Sequence, residues 1–243
     1  MKTIIKWGIK FNPVSKKKFI EEIEEKIKAG TIGIQITGVN IETISIIATN
    51  NHLLKVINDS DFVNIDGIGV AIALRMFGIS VPERVPCPDI FEELLKNANE
   101  QRQSVYFLGA DQNTLLNLIK NIKKQYPNIQ IVGFHNGYYN IEHEEDNIVK
   151  EISSLSPTYL FLGLPTPRKE LFIAKYKKRL NTNVCFGVGG AFDIIGEKTK
   201  RAPLIYRKIG LEWLYRINKN VQNNRIRFFK SIPIFIKWII THK

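Results

Sequence analysis

"SVYFLGADQNTLLNLIKNIKKQYPNIQIVGFHNG", residues 104–137, decides the fold class. An apolar run from Ser104 stops at Gly109. Leucines and isoleucines then recur every three to four positions until Pro127, and a second apolar run ends among glycines at Gly133 and Gly137. A continuous apolar run bounded by glycine reads as a strand buried on both faces, and the 3.6-residue recurrence reads as an amphipathic helix. Strand, helix and strand in that order form a βαβ unit, which implies parallel strands covered by helices on both sides.

The same unit recurs downstream. "EEDNIVKEISSL" reads as a helix, "TYLFLGL" as a strand, "RKELFIAKYKKRL" as a helix and "NVCFGVGG" as a strand. Upstream, "IGIQITGVN" and "DFVNID" read as strands, with helices at "SKKKFIEEIEEKIKAG" and "CPDIFEELLKNANEQ". No linker interrupts the series. The expectation is one compact, Rossmann-like α/β body over residues 1–217 with a largely parallel sheet, followed by a basic amphipathic appendage over 218–243.

Composition narrows the class. The chain has 243 residues, 44% of them hydrophobic, enough for a substantial core. Cys87 and Cys185 have neither zinc-site nor disulfide-framework spacing, and the start "MKTIIKWGIKFNP" lacks a signal peptide's long apolar stretch, which places the protein in the cytoplasm. The net charge of +12 is uneven: from Glu197 onward there are twelve Lys and Arg against two acids, while the preceding body is nearly neutral. Such a segment faces nucleic acid, an anionic membrane or a phosphorylated substrate.

In parallel sheets ligands bind beyond the carboxyl ends of the strands. Thr37, Asn40, Asp66, Gly109, Gly137, Gly163, Pro165, Lys169, Glu170, Gly189, Gly190 and Asp193 all fall at such ends. Asp66 ends "FVNID" where a helix begins, so it either caps that helix or carries chemistry. "GVGGAF" is either a tight turn or a phosphate cradle, and it fails the dinucleotide fingerprint at its third glycine, which disfavours an oxidoreductase. The "DSD" at Asp59–Asp61 reads as a helix-to-strand turn rather than a metal motif. The four histidines lack ligand spacing, so no metal is expected.

Taken together, "TGVN", "NIDGIGV", "ERVPCPD", "VYFLGA", "YPNIQIVGFHNGYY", "GLPTPRKE", "GVGGAFDIIGEKTKRAP" and "GLEWLYRI" resemble the WecG/TagA/CpsF group, glycosyltransferase family 26, over roughly residues 37–217. That resemblance implies an inverting, metal-independent transferase without a cofactor. It moves a sugar from a UDP-sugar onto a polyprenyl-diphosphate-linked saccharide for cell-envelope glycans such as exopolysaccharide, capsule or teichoic acid linkage units. The enzyme works as a peripheral protein on the inner face of the bacterial cytoplasmic membrane. By the same resemblance Asp66 is the general base, with Thr37 and Asn40 orienting sugar hydroxyls. The donor nucleotide lies against Gly109, Gly137, Gly163, Pro165, Lys169, Glu170, Gly189, Gly190 and Asp193. Arg84, by the same resemblance, and Arg201, Arg216, Arg225 and Arg227 are expected to meet donor phosphate or the acceptor's diphosphate.

The chain departs from the family pattern twice. Cys87 replaces a glycine in the "R-V-x-G-x-D" stretch. Lys169 replaces a glutamine, which leaves room for an acidic donor such as a glucuronic acid nucleotide. The tail "RIRFFKSIPIFIKWII", 225–240, is too short and too charged to span a bilayer. Its arginines, lysines and aromatics suit the membrane interface, although a helix packed on the body is the other reading, and Pro233 is expected to break or kink any helix there. No nucleic-acid-binding motif accompanies the charge, so nucleic acid is not an expected partner.

Overall fold

The computed structural model describes residues 1–208, 210–212, 214, 215 and 222–242, with only the backbone course given for 208 and 222–227. Six parallel strands form the sheet: β3 (Ile34–Val39), β4 (Phe62–Ile65), β5 (Ser104–Gly109), β6 (Gln130–His135), β7 (Tyr159–Gly163) and β8 (Val184–Gly187). Their spatial order is β4-β3-β8-β7-β5-β6. Five of them are mostly apolar and buried on both faces, while the edge strand β6 stays partly exposed.

Alternation along each strand sends side chains to two different layers. Ile34, Ile36, Phe62, Phe107, Phe161 and Phe186 meet α1 (Lys16–Lys28), α5 (Cys87–Glu100), α6 (Gln112–Gln125) and α9 (Ala191–Ile195). On the other face, Leu108, Leu160, Leu162 and Cys185 meet α7 (Glu145–Leu155) and α8 (Arg168–Tyr176). Val39, Val63 and Ile65 meet α2 (Ile41–Ile47), α3 (Asn51–Asn58) and α4 (Ile68–Met76).

A short antiparallel hairpin precedes this body: β1 (Ile4–Lys6) and β2 (Ile9–Phe11), turned by Trp7 and Gly8, both at positive φ. The helix Gln222–Thr241 closes the chain. It runs through Pro233, contrary to the expected break. Pro233 sits on the exposed side, and Phe229, whose carbonyl loses its backbone donor to the proline, is an exposed residue too.

That helix has two opposed faces. Ser231, Phe235 and Trp238 are buried against the body, with Ser231 bonded to Ser45 at 3.0 Å and Trp238 Nε1 donating to the Trp7 carbonyl at 3.2 Å. Phe235 and Trp238, expected at a membrane interface, therefore belong to the core shared with α2, and the appendage is structurally joined to the body. Phe229, Pro233, Ile236 and Ile240 form the opposite, exposed stripe. No described helix is long and apolar enough to cross a membrane.

Candidate active site

β5 and β7 are neighbours, yet their onward connections diverge: β5 leads through α6 to β6 on one side, and β7 leads through α8 to β8 on the other. Such a switch point opens a crevice beyond the carboxyl ends. The crevice floor is backbone brought close. Ala110 N–H donates to the Gly163 carbonyl at 3.1 Å and Gly137 N–H to the Ala110 carbonyl at 2.8 Å.

Packing explains three of the glycines expected there. A Cβ on Gly109, at φ +134°, would lie 2.5 Å from the Gly163 carbonyl carbon. One on Gly163 would collide with the Phe192 ring, and one on Gly137 would lie 2.8 Å from Leu164. Gly189 and Gly190 differ: added carbons there would meet only Leu164 O at 3.9 Å and Asp193 Oδ2 at 3.8 Å. The space above them is open, with Asp193 at its edge. Lys198 bridges Asp111 beside it at 2.6 Å, and this bond, with the Thr114 N–H, holds the Asp111 carboxyl well below its ordinary range. Arg168, which follows β7, donates to the Gly137 carbonyl at 2.7 Å and lies over the Tyr139 ring. It ties two crevice loops together.

Asp66 stands at the other end of the crevice. Asp66 follows β4 but lies over β3, with its Cβ 3.3 Å from the place a Gly38 Cβ would take; with β8 and β7 between β3 and β5, about 15 Å separates the two ends at ~4.8 Å per strand. Asp66 is not the cap of its own helix; Gly67 occupies that position without a side-chain bond. The carboxylate instead accepts from Asn40 Nδ2 at 3.0 Å and from the Cys87 backbone N–H at 2.8 Å. Asn40 is itself fixed as the N-cap of α2, accepting from Thr43 N–H at 3.0 Å. Arg84 braces the Asp66 carbonyl at 3.1 Å and that of Arg207 at 3.3 Å. Both carboxylate oxygens are held, yet the residue is half-buried rather than sealed.

Other expected residues land elsewhere. Thr37 is buried, 2% exposed, and bonds Ser60 at 2.9 Å; strand alternation turns it to the opposite face from Gly38, which meets Asp66. Its expected role on a sugar hydroxyl does not fit that placement. Lys169 lays its stem over Gly187 and puts its ammonium on Glu170 and Thr166. Glu170 is 1% exposed, so the extra cation is met inside the protein. Pro165 is exposed, and its carbonyl accepts from Lys169 N–H.

Arg201 pairs with Asp89 and with Glu92 at 2.9 Å, beside a cavity of about 580 Å³ between α5, α6 and α9. It is thus bound to carboxylates on α5 rather than facing the crevice freely. Arg216 lies outside the described residues, as do the side chains of Arg225 and Arg227. The Asp59–Asp61 turn sits at the amino end of β4, opposite Asp66, where Asp61 accepts from Gln35 N–H at 2.9 Å.

A parallel sheet with a glycine-walled crevice at one side of its carboxyl edge and one held carboxylate at the other defines an α/β ligand-handling enzyme. Comparison with known proteins makes the class specific. Residues 4–243 match the Glycosyl transferase WecG/TagA/CpsF family, and the chain belongs to it: it is a glycosyltransferase. It is 31% identical over 230 residues, 94% of this chain and 89% of the relative, to the N-acetylglucosaminyldiphosphoundecaprenol N-acetyl-beta-D-mannosaminyltransferase of Staphylococcus aureus (strain NCTC 8325 / PS 47). A protein of the same name from Bacillus spizizenii (strain ATCC 23059 / NRRL B-14472 / W23) is 31% identical over 194 residues, 80% of this chain and 74% of the relative.

Proposed function

We propose that this glycosyltransferase moves a sugar from a UDP-sugar to a polyprenyl-diphosphate-linked N-acetylglucosamine, by inversion and without a metal. The observation that carries the reading is the doubly held Asp66 carboxylate at the crevice end. A sugar hydroxyl attacks an anomeric carbon poorly until a base takes its proton, and a base must be fixed in place to do so. Asp66 takes that proton. An extended nucleotide-sugar spans the roughly 15 Å from Asp66 to the β5–β7 crevice, so the donor's sugar reaches Asp66 while its nucleotide lies along Gly189, Gly190 and Asp193. Backbone N–H groups and arginines meet the charge that grows on the departing diphosphate.

N-acetylmannosamine is the first donor sugar to test, on the relatives' names. The case for an acidic donor rested on a cation at Lys169, and Glu170 already meets that charge. The membrane contact falls to the outer stripe of the C-terminal helix, Phe229, Pro233, Ile236 and Ile240 flanked by Lys230 and Lys237, while its inner stripe stays docked.

The test is UDP release from a panel of UDP-sugars with an N-acetylglucosaminyl-diphosphate-lipid acceptor, in excess chelator. Release with UDP-N-acetylmannosamine that survives the chelator supports the reading. No release from any UDP-sugar overturns it, and loss of release in chelator removes the metal-free part.

A further inference from the structure

Asp66 is fixed by a backbone donor 21 residues away, and something must fix that donor. Asn64 does this. It lies in β4 with no exposed surface, on the face that meets α5, and its Nδ2 donates to the Val85 carbonyl at 2.7 Å and contacts Cys87 Sγ at 3.6 Å. Val85 N–H returns to the Ile65 carbonyl at 3.1 Å. The segment Val85–Pro86–Cys87 is therefore clamped across the end of β4. Its last residue opens α5, and the Cys87 N–H, one of the donors a helix start leaves unpaired, points at Asp66 Oδ1.

The room for this clamp comes from Gly38. The Cys87 sulfur, Asn64 Nδ2 and Asp66 Cβ all crowd the place a Gly38 side chain would take. Burial, reinforced by the Asp66 charge, pushes the Cys87 thiol well above its ordinary range, so it stays protonated and does not compete as a base or nucleophile.

We propose that Asn64, acting through the backbone N–H of Cys87, is a positioning residue for the Asp66 carboxylate. The inference rests on Asp66 as the base. Asn64 touches no substrate; its effect is the aim of the carboxylate.

Two substitutions test it. Asn64→Leu keeps the branched shape and removes both donors. Cys87→Pro removes the single N–H, at a helix position that favours proline and after Pro86, whose φ of −69° and ψ of 144° suit a following proline. Cys87→Ala keeps the N–H and removes only the sulfur that Asn64 also meets, so it reads the thiol's share separately.

Asn64→Leu and Cys87→Pro should lower kcat roughly 10- to 100-fold, with UDP affinity by calorimetry changed less than about twofold, and Cys87→Ala, which keeps the N–H, should lose clearly less than Cys87→Pro. In an Asp66→Asn background, Asn64→Leu should cost no further than about twofold, because the group it aims is gone. Should Asn64→Leu fail to fold, Cys87→Pro decides. Loss of turnover in Asp66→Asn without loss in the folded positioning variants overturns this inference alone. A full additional loss in the double variant overturns it too. Normal turnover in Asp66→Asn removes the base, and the inference with it.

Discussion

Around Asp66 the crevice is made of side chains that hold one another: Asn40 caps a helix and donates to the carboxylate, Asn64 clamps the Cys87 segment, and Arg84 braces two carbonyls. Along β5, β7 and β8 it is made of bare backbone, with Gly109, Gly137 and Gly163 in close contact and Gly189 and Gly190 facing open space. The first region holds the proposed base still. The second leaves the space above Gly189 and Gly190 open. They should therefore fail differently, the acid corner by losing a group and the glycine wall by gaining one.

Asp66→Asn should break the acid corner most severely. Turnover should fall roughly 10²-fold or more, the scale of a lost general base, while UDP binding persists. Near-normal kcat would end the contrast.

Gly163→Ala should show the opposite failure. Its new methyl meets the Phe192 ring, and overpacking of this kind costs about 1–3 kcal/mol of stability, read by chemical denaturation. Gly190→Ala is the internal control: with nothing nearer than Asp193 Oδ2 at 3.8 Å, it should fold as the parent does and weaken only UDP affinity. Equal stability losses in the two variants would show that the wall is packed throughout.

Gly38 joins the two building styles, since a glycine there makes room for side chains. Gly38→Ala should lower stability and turnover together, and adding Cys87→Gly should restore much of both by removing the sulfur. Absence of rescue would mean that another neighbour sets the limit.

Asp111→Asn at the crevice rim should have the smallest effect, about 1 kcal/mol or less, for an exposed cap and ion pair. The Lys198 bond and the Thr114 N–H lower the folded-state pKa of Asp111, so its contribution is present above the ordinary carboxyl value and lost as pH falls below about 4. The gap between parent and variant in denaturation should close over that acid range. A gap that widened instead would reverse the sign.

Much of this architecture was legible because its signals are local. Each sheet strand is a mostly apolar run that gives way to glycine or a polar residue, and Asp66 stands out as the acid just past such an end. The donor that holds it does not stand out, because a backbone N–H at residue 87 leaves no mark in the sequence. Thr37 misled because a strand buried on both faces has no polar alternation to show which side meets the site. The hairpin escaped because its strands are three residues each, carry lysines and turn on a tryptophan. In the tail, Ser231, Phe235 and Trp238 recur at helical spacing, but the apolar residues of the outer stripe and Pro233 obscure that pattern.

The bond from Trp238 to Trp7 joins residues 231 positions apart, and Phe235 packs edge-on to the same ring. During synthesis the hairpin, α2 and α4 must wait with one side of their shared core uncovered until the ribosome has released residue 238, and contacts of such long range form late. This half of the molecule is therefore the one a chaperone would shield, and the β5–β8 half can mature first. Pulsed hydrogen exchange on stalled chains should find the amides of β5 and β7 protected while those of Ile9 and Phe11 still exchange.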